Sequence, residues 1–174
     1  MALKPIAIQE LNLNPITTIG EKWMLITAGS QQRGYNTMTA SWGHLGSIWG
    51  RTSTCGPSAV VYIRQSRYTK QFVDREDLFT LSVLPEQYRK ALGYLGSKSG
   101  RDEDKVAAVG LTPVFDGETT YFAEAELVLV CRKLYRATLT PENILDKTIV
   151  DRVYGDGDLH DMYIGEIIRA LAAE

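Results

Sequence analysis

The chain has 174 residues, 44% of them hydrophobic and 23% charged, with a formal net charge of −2. That is enough apolar material for one domain with its own core, so a single domain over residues 1–174 is expected. The balance of charge leaves no basic footprint for nucleic acid or for an anionic membrane, and the longest apolar stretches, "ELVLVC" and "SAVVYI", are too short to span a bilayer.

The N-terminal "MALKPIAIQELN" lacks the continuous apolar core and small-residue cleavage site of a signal peptide, so none is expected. Residues 22–29, "KWMLITAG", have the length and content of a strand ending at glycine. In "NTMTASWGHLGSIWG" (36–50), Met38, Ala40 and Trp42 alternate with Thr37, Thr39 and Ser41, which predicts a strand with one apolar and one hydroxyl face, then a glycine-rich loop. Residues 58–64 and 78–84 read as strands, separated by a turn and a short helix in "QSRYTKQFVDRED". Pro85 suits the first position of a further helix; Tyr88, Ala91, Leu92 and Leu95 recur at helical spacing, and Gly96 supplies a stop. Residues 97–105 form a polar loop, 119–139 one extended or bent strand, and "PENIL" a helical turn. "DMYIGEIIRAL" closes the chain as strand, helix or both. Strands dominate without strand–helix alternation, so an antiparallel barrel with helical insertions is the expected architecture.

Three stretches could carry chemistry. The hydroxyls and amides of 36–41 could bond a flat, polar-edged ligand that glycine lets approach; a solvated edge strand gives the same pattern. In "RQSRYT" (64–69), Arg64, Arg67, Ser66, Thr69 and the start of a helix describe a phosphate seat, although a capped helix with surface arginines reads alike. In "SKSGRDEDK" (97–105), Lys98, Arg101 and Lys105 could clamp an anion or form an ordinary charged surface.

Several motifs are missing. There is no G-x-G-x-x-G after a strand, no G-x-x-x-x-G-K-[ST], no C-x-x-C and no G-x-S-x-G. Without paired spacing, Cys55, Cys131, His44 and His160 make a poor zinc set, and no metal is expected. Cys55 reads as a small buried hydrophobe or a reactive thiol; two distant cysteines fit reduced thiols in a cytoplasmic protein. His160, between two aspartates in "GDLHDMYIGE", is a candidate proton donor with a raised pKa, or a surface histidine in a turn.

Taken in order, "NTMTASWG", a strand, "SRYT" and "FTLSVL" resemble the flavin reductase-like family with the FMN-binding split β-barrel, in its flavoredoxin-like branch. "SGRDEDK" looks like that family's serine-glycine-aspartate-lysine loop, and "HDMYIGEI" is similar to its closing histidine and Gly-Glu strand. The resemblance implies a mainly β fold, an antiparallel split β-barrel of Greek-key type with helical insertions. It also implies FMN bound non-covalently at a homodimer interface. By the same likeness Asn36 opens the cofactor-binding run, and Met38, Thr39, Ala40 and Ser41 line the isoalloxazine edge. Arg64, Ser66, Arg67, Tyr68 and Thr69 hold the phosphate and ribityl chain, Ser82 lies beneath the cofactor, and Ser99, Gly100 and Lys105 close over it. Two departures bear on contact with the ring: "CGPS" replaces a pair of prolines, and "LSVL" lacks the family's common Asn.

The function this implies is NAD(P)H-dependent flavin reduction. Nicotinamide docks transiently, and electrons pass on to flavin, oxygen or a redox protein partner. An electron carrier with little turnover of its own, or a dimeric barrel that binds another phosphorylated ligand or none, are the competing readings.

Overall fold

The computed structural model describes residues 2–50 and 56–173. Cys55, for which two roles were weighed above, lies outside the described residues. Among the described residues there are ten strands: β1 (Leu3–Ile6), β2 (Met24–Ser30), β3 (Gly34–Ala40), β4 (Gly43–Ser47), β5 (Pro57–Arg64), β6 (Leu78–Val83), β7 (Pro113–Asp116), β8 (Thr119–Phe122), β9 (Leu127–Thr138) and β10 (His160–Ala173). The helices are α1 (Pro15–Thr17, widening into a π-type turn over Thr18–Lys22), α2 (Tyr68–Arg75), α3 (Arg89–Ser97), α4 (Lys105–Ala108) and α5 (Lys147–Tyr154).

One antiparallel sheet runs β3-β2-β6-β9-β10-β5-β4, with β1 added to β10, while β7 and β8 form a separate hairpin. Its two edge strands, β3 and β4, follow each other in the chain with only Ser41 and Trp42 between them. Two residues reach only about 10 Å, so the sheet must curl until its edges meet. The seam of the barrel is therefore Ser41–Trp42.

Alternation fills the interior. Ile26 and Ala28 from β2, Val61 and Ile63 from β5, Phe79 and Leu81 from β6, and Tyr163 from β10 all point into one buried cluster. Burying each of the larger side chains contributes about 1.5–3 kcal/mol. On the opposite face of β2, Leu25 joins Leu92 and Leu95 of α3, Val106 of α4 and Phe122 of β8 in a second cluster. Near the end of β2, Gly29 takes φ +107°, and a Cβ there would lie 2.2 Å from the Gly34 carbonyl oxygen of β3, so the hairpin requires glycine.

Several sequence expectations change. The single extended or bent strand expected over 119–139 is two strands, broken at 123–126, where Glu124 accepts from the Thr112 amide at 3.0 Å and the Glu126 amide donates to the Val83 carbonyl. Pro85 precedes the 3-10 turn Glu86–Tyr88 as its cap rather than opening a helix. Gly96 lies inside α3, which runs to Ser97, and Lys105 of the expected loop begins α4. The "DMYIGEIIRAL" stretch is strand throughout. Its alternation is broken by register shifts at Ile164/Gly165 and Ile167/Arg169, which obscure the period of two.

Candidate functional site

Two adjoining clefts gather nearly all of the residues singled out in the sequence. The first, about 190 Å³, follows the end of β3 into the barrel seam. It is lined by Met38, Thr39, Ala40, Ser41 and Trp42, with Tyr62, Arg64, Arg67 and His160 opposite. The second, about 130 Å³, lies at the start of α2 among Asn36, Ser66, Arg67, Tyr68, Thr69, Ser99, Arg101 and Lys105. Met38 and Arg67 line both, so the clefts are continuous.

The second cleft has the chemistry of an anion site. Arg67, Lys98, Arg101 and Lys105 contribute to its described lining, and no carboxylate does. Arg67 precedes α2 in extended conformation without a side-chain cap, and of the first-turn amides that of Lys70 donates to the Arg67 carbonyl, which leaves those of Tyr68 and Thr69 to face a ligand. Arg101 stacks on Tyr68, its guanidinium carbon 4.7 Å from the ring centroid, and donates to the Ser66 carbonyl at 3.2 Å. Arg101 is one of the loop cations that could clamp an anion or form ordinary surface; that it meets the start of α2 depends on long-range packing.

Buried polar bonds fix this geometry. The Asn36 side chain donates to Thr69 Oγ1 at 3.0 Å, and a Cβ on Gly100 would sit 2.4 Å from Asn36 Oδ1, so Asn36 ties β3 to α2 and to the 97–105 segment at once. Behind α2, Lys70 Nζ lies 2.6 Å from Asp74 Oδ2 and 2.9 Å from Asp161 Oδ2, and Tyr163 donates to Asp74 Oδ1 at 2.7 Å. Burial disfavours the charge on Lys70, yet the two carboxylates outweigh it and raise its pKa. The helix is thus clamped to β10 with its amino end at the cleft.

Some residues stand differently from the sequence expectation. The hydroxyl face of β3 is largely turned inward: Thr37 Oγ1 lies 2.8 Å from Thr27 Oγ1, and Thr39 donates to the Leu92 carbonyl at 2.6 Å. Ser41 remains at the cleft. Lys105 is buried and donates to the carbonyls of Leu95 and Lys98, closing the end of α3. Burial, with Arg67 nearby, pushes its pKa down to about 8. Arg64 is engaged by the carbonyls of Val153 and Asp158 at 2.9 Å each. Ser82 is fully buried in register with Leu25 and Val128, and its hydroxyl has no hydrogen-bond partner. It sits on the face of the sheet opposite Leu81 and the barrel interior.

His160 lines the first cleft, but the expectation of a raised pKa is overturned. Burial, then the charge of Arg64, push it down to about 4, and Asp158 does not offset them. At neutral pH it is an uncharged imidazole, its Nδ1 3.0 Å from the Tyr154 hydroxyl and its ring 4.9 Å from that of Trp42. Trp42 and Tyr62 complete the wall; both are aromatic residues in or next to strands, a signal shared with any core position.

The profile described as "Flavin reductase like domain" matches residues 17–174. The chain belongs to the flavin reductase-like family. Solved structures agree with this assignment of fold. An FMN-binding domain of a flavin reductase-like enzyme from Shewanella baltica aligns with a TM-score of 0.69 at 18% identity, over 98% of this chain and 77% of that one. Flavoredoxin of Desulfovibrio vulgaris aligns at 0.64 and 23% identity, over 87% and 69%. The NADH:FAD oxidoreductase SgcE6 of Streptomyces globisporus aligns at 0.64 and 18%, over 87% and 75%. Among curated proteins no significant sequence match is found. No helix among the described residues of this flavin reductase-like domain is long and apolar enough to cross a membrane.

Proposed function

We propose that this flavin reductase-like protein binds FMN in the two continuous clefts and passes electrons from NAD(P)H to flavin or another acceptor. The observation that supports this most is the junction at Met38 and Arg67 of a cleft whose described lining carries four cationic side chains, with Asp158 bound to Ser66 at its edge, and a strand-lined cleft at the barrel seam. Such a pair fits a molecule with an anionic end and a flat, polar-edged end. Arg67, Arg101 and the first amides of α2 would hold the phosphate, with Ser66 and Thr69 alongside. The backbone of residues 38–41 would meet the ring edge, and Trp42 and Tyr62 would offer apolar surface to it. When bound, FMN supplies the hydride and electron chemistry, so the protein's tasks are orientation, electrostatics and control of water.

His160 is neutral and offers the site a hydrogen-bonding ring rather than a ready proton. This favours a second reading, an electron carrier of flavoredoxin type that acts through a protein partner and turns over little nicotinamide itself. A homodimer is part of the proposal. The exposed aromatic rings of Trp42 and Trp49 are the kind of surface a second copy covers. A cytoplasmic setting suits the free thiol of Cys131.

The deciding experiment is FMN titration of the purified protein followed by addition of NADH or NADPH. Saturable FMN binding with nicotinamide oxidation supports the reductase. A yellow protein that leaves both nicotinamides untouched supports the carrier. No uptake of FMN removes both. Elution as a monomer on size-exclusion chromatography removes the dimer.

A further inference from the structure

The anion seat has two halves. One is the turn at 64–67 that leaves β5 and carries Ser66; the other is the first turn of α2, with the amides of Tyr68 and Thr69. Arg67, extended at φ −69° and ψ 131°, joins them, so no helical ladder fixes one half against the other.

One buried carboxylate lies beneath both. Asp161 Oδ1 accepts from Gln65 Nε2 at 3.3 Å and from Thr138 Oγ1 at 2.8 Å, and Oδ2 lies 2.9 Å from Lys70 Nζ. Gln65 belongs to the turn, and Lys70 is the third residue of α2. Asp161 is only 2% exposed, and it stands in β10 opposite Ile63 of β5 and Thr138 of β9, so its backbone is held on both sides. Side chains alternate along a strand: His160 lines the strand cleft, while Asp161 shares the face of Tyr163, against which α2 packs Val73.

The second ion pair of Lys70, with Asp74, lies within α2 and cannot place the helix. One turn later Tyr163 and Arg136 hold Asp74, so Lys70–Asp161 is the tie nearest the amino end. The helix dipole opposes an ammonium in the first turn, and a buried carboxylate without partners is strongly unfavourable; their pairing answers both. Burial works against the charge of Asp161, yet Lys70, Thr138 and Gln65 outweigh it and hold the carboxyl below its usual range.

We propose that Asp161 is a positioning residue for the phosphate: it sets the distance between the Ser66 donors and the α2 amides, and so gives the site its preference for a phosphorylated flavin over riboflavin. The proposal rests on the FMN reading above. Donors that share one ligand must be placed to within about 0.5 Å, a precision that side chains locked from behind supply. A ring bound at residues 38–42 does not depend on that distance.

The test is fluorescence titration of the full chain with FMN and with riboflavin. Asp161→Asn alone would also remove a negative charge beneath the seat, which favours phosphate. The double variant Lys70→Met with Asp161→Asn removes one charge of each sign and breaks the tie at constant net charge. It should weaken FMN about tenfold and riboflavin less than about twofold. Gln65→Ala, at an exposed position that spares the fold, should weaken FMN about threefold and leave riboflavin unchanged. Equal losses for the two flavins would make Asp161 merely structural and overturn the proposal, as would unchanged FMN affinity in these variants. If the double variant does not fold, Gln65→Ala decides by the same comparison. Failure of the unaltered protein to take up FMN removes the flavin reading and this proposal with it, whereas normal uptake with an unchanged ratio of the two affinities in the variants removes this proposal alone.

Discussion

Asp158 spans the donors of Ser66: one carboxylate oxygen accepts from the Ser66 amide at 3.0 Å, and the other from its hydroxyl at 2.6 Å. These donors stand at the entrance to α2, where the phosphate of FMN is proposed to bind. A phosphate arriving there must tolerate a fixed carboxylate or exchange with it. Asp158→Asn keeps an acceptor for Ser66 but removes the negative charge. FMN affinity should rise by about 0.5–1 kcal/mol, roughly threefold, with riboflavin affinity unchanged because it has no phosphate. Fluorescence titration of both flavins measures this, and an equal change for the two would place Asp158 away from the phosphate.

Arg67 reaches both clefts and donates to the Gly96 carbonyl at 3.0 Å. Arg67→Ala removes a charge-assisted donor at the hinge between phosphate and ring. It should weaken FMN by about 1.5–3 kcal/mol while leaving the melting temperature nearly unchanged, since the side chain is exposed. Unchanged FMN affinity would count against the seat.

The same cleft predicts a pH dependence. Burial and Arg67 hold the Lys105 ammonium at a pKa of about 8 in the free protein. A phosphate dianion nearby raises it, so binding takes up a proton above pH 8 and FMN affinity falls as pH rises through that value. On the acid side, phosphate gains its second charge near pH 6, so affinity rises through about that pH. FMN should therefore bind best between about pH 6.5 and 8, and riboflavin should show neither limb. A flat FMN profile from pH 8 to 10 would separate Lys105 from the ligand.

What the sequence disclosed and what it concealed follow from the range of the interactions. The strands 58–64 and 78–84 match β5 and β6 within a residue because their periodicity is local. The "SRYT" helix start is likewise visible as α2. β4 was hidden by Gly43 and Gly46, which read as loop, although Gly43 is needed because a Cβ there would lie 2.8 Å from the Val60 carbonyl oxygen. α5 was missed even though Asp146 caps it by accepting from the Thr148 amide, a short-range signal that was available. The loop carboxylate of Asp158 meets Ser66 across 92 residues, and the buried ammonium of Lys105 depends on how α3 ends. Neither is encoded in any local pattern. The orientation of Thr37 and Thr39 toward protein rather than ligand is of the same kind: alternation gives two faces but not which one is covered.

His160 should make the fold sensitive to acid. Its pKa is about 4 in the folded protein and near 6.5 when unfolded, so between these values the unfolded chain binds more protons. The stability this provides is fully present above pH 6.5 and is lost as pH falls through 4, to a total of roughly 3 kcal/mol. His160→Gln should be less stable at pH 7, having lost the imidazole packing on Trp42, but its stability should fall less steeply between pH 6.5 and 4. Urea denaturation at several pH values measures both slopes. Parallel slopes would mean that the imidazole titrates normally.

Ser82 offers a separation of structural from ligand roles. Its hydroxyl is buried without a partner, and such a group costs about 1–3 kcal/mol of desolvation when nothing compensates it. Ser82→Ala removes the orphan and leaves only a small void, so stability should rise by about 1 kcal/mol. Because Ser82 belongs to the face of β6 opposite Leu81 and the barrel interior, FMN affinity should not move. A resemblance-based role beneath the cofactor predicts the reverse: weaker FMN binding and little gain in stability. Chemical denaturation together with FMN titration of this one variant distinguishes the two, and a loss of FMN affinity would show that the hydroxyl finds its partner in the ligand.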